Sequence, residues 1–105
     1  MAQFDVYKNP SNTTQRELPF LVDIQSSLLE QLETRIVIPL VRLSTLQNQG
    51  IPSLYPEFSY ENQQLALLTT QVSGIHKALL KQPIGTLAQQ RDTILKALDF
   101  AFSGF

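Results

Sequence analysis

PIGTLAQQRDTILKALDFAFSGF, residues 83–105, reads as a stop followed by a helix. Pro83-Ile84-Gly85 ends whatever precedes it, and Thr86 with Gln89 three residues on forms a capping-box pattern. From Leu87 the apolar residues recur with helical spacing. At about 100° per residue, Leu87, Ile94, Leu98, Ala101 and Phe105 share one stripe, with Leu95 and Phe102 on its flank. Lys96, Asp99 and Ser103 fall on the opposite side. A stripe of this kind docks on a sheet or a second helix, so Phe102 is expected in the core. Phe100 points away from the stripe and is expected at the surface. The sequence closes on Phe105, and an apolar helix tip at that place suggests a subunit interface or a partner site.

Upstream of this helix the pattern is that of strands. Phe4–Tyr7 alternates, as does Leu18–Ile24, where Pro19 is confined to the strand start or an edge. Between them, Lys8–Arg16 is a polar stretch with a turn signal at Asn9-Pro10-Ser11-Asn12 and reads as a mobile loop. Ser27-Leu28-Leu29-Glu30 carries a second capping box and predicts a turn or two of helix, with one of the two leucines in the core. Ile36–Val41 is β-branched and apolar on both faces, a central strand in which Pro39 predicts a bulge or a break. Asn48-Gln49-Gly50 and Ile51-Pro52 punctuate a long connection. Tyr55–Tyr60 and Gln64–Val72 form a hairpin with its tip at Glu61-Asn62, and Ser73-Gly74 is expected to end the returning strand. Ile75–Leu80 fits strand or helix, and the breakers on either side favour a short strand. The result is a run of antiparallel strands followed by one C-terminal helix, without βαβ alternation, in one domain spanning 1–105.

Composition narrows the function. At 43% hydrophobic and 16% charged residues the chain builds a core and is not disordered. Eight Lys/Arg against nine Asp/Glu give a net charge of −1, and the cations are scattered, which is not a nucleic-acid footprint. The absence of cysteine removes disulfides and thiolate chemistry and fits a cytoplasmic protein. Residues 1–7 have no secretory-leader pattern, and no apolar run approaches membrane-spanning length. His76 is the only histidine, has no metal-ligand spacing, and reads as a surface or strand-end residue. No serine sits in a nucleophile elbow, the four glycines are not clustered, and the carboxylates single out no acid–base pair. Arg35 and Arg42 flank the central strand as a solvated pair, or as the lining of a ribonuclease groove. No catalytic set emerges and no cofactor is called for; the leading functional feature is the apolar helix tip.

Taken in order, QFDVY (3–7), FLVDIQS (20–26), RIVIPL (35–40), SLYPEFSY (53–60), LLTTQVSGI (67–75) and FSGF (102–105) resemble the CcdB family of toxin–antitoxin toxins. The likeness runs the length of the chain, with small insertions near Lys8–Gln15 and Leu32. It implies an SH3-like barrel of the CcdB/MazF type and a homodimer whose C-terminal helices lie near the two-fold axis, with Ala101, Phe102 and Phe105 at the dimer interface. It implies a non-enzymatic poison of plasmid-maintenance type that enters the opened DNA gate of the DNA gyrase A subunit and traps the cleaved complex. A CcdA-type antitoxin with a disordered C-terminal segment would neutralise it. Neither direct nucleic-acid binding nor a membrane is implied.

Carried over position by position, the gyrase-binding residues would be Leu28 and Leu29, Asp99 where a plasmid relative has Asn, and Ser103, Gly104 and Phe105 where the family ends Trp-Gly-Ile. Serine offers no face for the gyrase arginine that the tryptophan stacks on. Phe100 is therefore added to the set as the exposed aromatic. The alternative within the same fold is an endoribonuclease of the MazF/Kid type, which needs a basic groove.

Overall fold

Strand β3, Thr34–Arg42, is the spine of the molecule. The computed structural model describes residues 2–46, 51 and 53–104. Before β3 lie β1 (Asp5–Lys8) and β2 (Phe20–Asp23). After it come a short helix α1 (Leu43–Leu46), β4 (Glu57–Tyr60), β5 (Gln63–Leu67), β6 (Ser73–His76), β7 (Gly85–Thr86) and the helix α2 (Arg91–Ser103). All seven strands belong to one antiparallel sheet, ordered β4-β5-β3-β2-β1-β7, with β6 also on β3.

Register explains why β3 is apolar on both faces and why its proline does no harm. One edge of β3 pairs with β2, from Phe20↔Leu40 to Asp23↔Val37. The other edge is shared: β6 pairs with Thr34–Val37 and β5 with Leu40–Arg42. Pro39 turns its backbone toward that shared edge, where its carbonyl accepts from the Leu68 N–H at 3.0 Å. The N–H that proline lacks falls where one partner hands over to the next, so the expected bulge or break does not occur and the strand runs through.

The sheet buries apolar side chains on both faces. On one face, Val6, Phe20, Val22, Ile38, Leu40, Phe58, Leu65 and Leu67 pack with Phe4 and with Leu87, Ile94 and Leu98 from the C-terminal segment. On the other, Tyr7, Leu21 and Val37 pack with Leu80, and Val41, Ala66 and Leu68 form a smaller group.

Several boundaries differ from the expectations. Phe4 has φ 73, so β1 starts at Asp5. The turn at Glu61 and Asn62 has φ 49 and 63, the paired positive values of a two-residue hairpin. β5 ends at Leu67, and Ser73-Gly74 lies inside β6 instead of ending a strand. The exposed strand asks little of these small residues, and Gly74 simply pairs with Ile36. Beyond β6, Lys77–Leu79 is a 3-10 turn capped by His76, whose Nδ1 accepts from the Ala78 N–H at 3.1 Å. The strand-end histidine is thus half cap, half surface residue. The Lys8–Arg16 loop is knitted by buried Asn9, whose Nδ2 donates to Thr14 Oγ1 (2.9 Å) and Leu18 O (2.8 Å).

The helix starts later than its cap signal. Gly85-Thr86 is claimed by β1 as strand β7, and Thr86 Oγ1 accepts from the Ala88 N–H at 3.1 Å where a 3-10 turn, Ala88–Gln90, begins. Gly85 leaves room for the Tyr60 hydroxyl, which donates to Ile84 O at 3.0 Å; a Cβ at Gly85 would displace it. α2 then runs from Arg91, whose guanidinium lies 6.0 Å over the Phe4 ring. Its buried residues are Ile94, Ala97 and Leu98, while Lys96, Asp99 and Ser103 face solvent as the periodicity predicts.

Candidate functional site

Two groups of apolar side chains stand out from the surface. The first is on the segment between β2 and β3. Ser26 Oγ accepts from the Leu28 N–H at 3.2 Å and starts a 3-10 turn over Ser27–Leu29. Nothing in that turn is buried. Leu28 is 92% exposed, Leu29 43% and Leu32 49%. The expectation that one of Leu28 and Leu29 is core fails. The turn is too short to fold back, so both leucines project outward. Single exposed leucines need no explanation, but three within five residues form a patch.

The second group is the end of α2. Phe100 is 38% exposed, as its place on the wheel predicts, and Ala101 is half-buried. Phe102 is 71% exposed and is not a core residue. The late start of α2 centres its buried stripe on Ile94, Ala97 and Leu98, and Phe102 lies one turn beyond the last core contact, at Leu98. Ser103 Oγ donates to Asp99 O at 2.7 Å. Gly104 closes the helix in the left-handed conformation, φ 79, and its N–H reaches Phe100 O at 3.0 Å. Phe105 lies outside the described residues. The structure thus gathers Leu28 with Leu29, and Asp99 and Phe100 with Ser103 and Gly104, on two different elements.

Beneath the first group is a polar cluster that the sequence did not announce. Arg35 is 1% exposed and Asp23 0%, so the reading of Arg35 as a solvated cation is overturned. Its Nε donates to Asp23 Oδ2 at 2.8 Å, with Nη2 2.7 Å from the same oxygen. The other carboxylate oxygen accepts from the Gln25 N–H at 2.9 Å. Burial pushes the Asp23 carboxyl up from the usual range, against the pull of the Gln25 N–H and Arg35. Tyr7 is also fully buried, and its hydroxyl makes no hydrogen bond among the described residues. Burial first, then Asp5 and Asp23, pushes that phenol up to about 12, with Arg35 pulling the other way. Arg42, the other arginine of β3, is half-buried and donates to Arg16 O at 2.8 Å and to Gln63 Oε1. The only signal for the buried pair was positional: Arg35 sits two residues before Val37, the partner of Asp23, in an otherwise apolar run.

His76 is committed to capping and lies 3.6 Å from Glu33 at the surface. Among the described residues no cluster of His, Cys, Asp or Glu is placed to hold a metal ion, and no helix is long and apolar enough to cross a membrane.

An antiparallel half-barrel closed by one C-terminal helix is the fold of the CcdB/MazF-type toxins. It superposes on the Mycobacterium tuberculosis toxin MazF-mt6 with a TM-score of 0.70, at 15% sequence identity, over 96% of this chain and 96% of that one. The model of the family described as CcdB protein matches residues 3–104. The chain belongs to the CcdB family, toxins of toxin–antitoxin pairs.

Proposed function

We propose that this protein is a gyrase poison: as a homodimer it binds the DNA gyrase A subunit and traps the gyrase–DNA cleavage complex. The observation that carries this reading is the 92% exposure of Leu28 within the leucine patch, at a position that the family resemblance assigns to gyrase contact. A leucine so exposed adds almost nothing to its own fold, whereas the same side chain buried in a partner is worth roughly 1.5–3 kcal/mol. Leu29, Asp99, Phe100, Ser103, Gly104 and Phe105 complete the proposed contact set. Phe100 supplies the aromatic face that Ser103 lacks. Ala101, Phe102 and Phe105 meet across the two-fold axis. An exposed Phe102 suits that role, since burial in the partner removes what the monomer leaves in water.

The protein acts as one toxin domain over residues 1–105 and carries out no chemistry itself. Gyrase's own tyrosine–DNA bond becomes the lesion. A CcdA-type antitoxin neutralises the toxin through a disordered segment. The fold shared with MazF-mt6 makes RNA cleavage the reading to test against. Purified protein is assayed for inhibition of gyrase supercoiling beside an RNA-cleavage assay. Inhibition of supercoiling with intact RNA is expected. RNA cleavage without an effect on supercoiling would replace this function with the ribonuclease one.

A further inference from the structure

The Ser27–Leu29 turn does not hold itself. It is three residues long, it buries nothing, and 3-10 turns of this length are weak. Its internal bonds are Leu29 N–H to Ser26 O at 2.9 Å, Glu30 N–H to Ser27 O at 3.3 Å, Leu32 N–H to Leu29 O at 3.1 Å and the Ser26 cap. All are solvent-exposed at the turn's own residues, where water competes. One buried side chain ties the turn to the sheet. Gln25 is 1% exposed. Its Nε2 donates to Leu29 O at 2.7 Å, and its Oε1 accepts from the Ile36 N–H of β3 at 3.0 Å. Its own N–H is fixed on Asp23 Oδ1, and Asp23 is fixed by Arg35.

We propose that Gln25 is a positioning residue: anchored by the buried Asp23–Arg35 pair, it clamps the end of the turn to β3 and so holds Leu28 in its presenting orientation. The proposal rests on the reading of Leu28 as a target contact. A buried amide bonded at both ends, to groups seven residues apart in sequence, sets a distance and a direction that an apolar side chain of the same size does not. With the turn fixed in advance, binding does not have to order it, which is where affinity is gained.

The test has two arms, the first without gyrase. Amide exchange is followed by NMR in wild type, Gln25→Ala and Gln25→Met. Exchange at the Leu29 and Leu32 N–H groups is expected to rise about tenfold in both variants, with Val22 and Ile38 in the core strands unchanged. Gln25→Met keeps the length of the buried side chain, loses both hydrogen bonds and adds no charge, so it carries the test if Gln25→Ala does not fold. Unchanged turn amides would overturn the clamp. The second arm is a double-mutant cycle for binding to a gyrase A-subunit fragment. Gln25→Ala is expected to weaken binding about tenfold in the wild type and by less than about twofold in the Leu28→Ala background, because it acts through Leu28. Losses that simply multiply would overturn the positioning role. If Leu28→Ala binds as well as wild type, the Leu28 contact and the purpose assigned to Gln25 both fall, while the amide arm still decides whether the clamp exists.

Discussion

Tyr7 carries a hydroxyl into the interior, where none of the described residues receives it. Replacing it with phenylalanine removes that cost and keeps the ring, so Tyr7→Phe is expected to stabilise the fold by about 1 kcal/mol at pH 7, read by urea unfolding. The pH dependence has a definite sign. The phenol titrates near its ordinary 10.0 in the unfolded chain and at about 12 in the folded one. The unfolded state therefore gives up the proton first. Wild-type stability falls as pH rises through that window, by roughly 2–3 kcal/mol. Tyr7→Phe should lack this alkaline slope, and an identical slope in the variant would contradict the assignment. At this scale Phe100 was legible, because helical phase fixes where a single side chain points. The joint exposure of Leu28 and Leu29 and the exposure of Phe102 were not. Arg35 and Gln25 were not legible either. The burial of Arg35 depends on β2–β3 register, and the role of Gln25 on a turn geometry that no local pattern encodes.

Among the elements, those set by local periodicity were legible and those set by partners were not. The alternation of the strands and the tip at Glu61-Asn62 came through. Pro39 misled because the change from β6 to β5 on one edge of β3 is a long-range fact. The cap at Thr86 misled because β1 recruits Gly85-Thr86 as a strand before the helix can begin. The consequence for α2 is testable. Its anchors are Ile94, Ala97 and Leu98, so deleting Ser103, Gly104 and Phe105 leaves them in place. Stability by urea unfolding should fall by less than about 1 kcal/mol. Gyrase A-subunit binding in calorimetric titration should weaken by about 2 kcal/mol or more, the scale of an interface anchor. Ser103→Trp separates two dockings of this tip. Retained or tighter binding means the family's stacking geometry persists; weaker binding means the tip has re-docked through Phe100. A truncated protein that binds like wild type would remove the C-terminal contact set.

For the whole molecule, a chain of 105 residues that leaves Leu28, Leu29, Leu32, Phe100 and Phe102 in water has apolar surface to cover. The proposed two-fold dimer, closed at the end of α2, would cover part of it and present two copies of the rest with the symmetry of a dimeric target. Sedimentation equilibrium at micromolar concentration should return the dimer mass; a monomer would contradict this arrangement. The most direct test of the central claim is the state of DNA under gyrase. Supercoiled plasmid is incubated with gyrase, ATP and the protein, then treated with detergent and protease. Linear plasmid is expected in proportion to added protein, and none without gyrase. Plasmid that stays intact while gyrase binds the protein, or DNA cut when gyrase is absent, would contradict it.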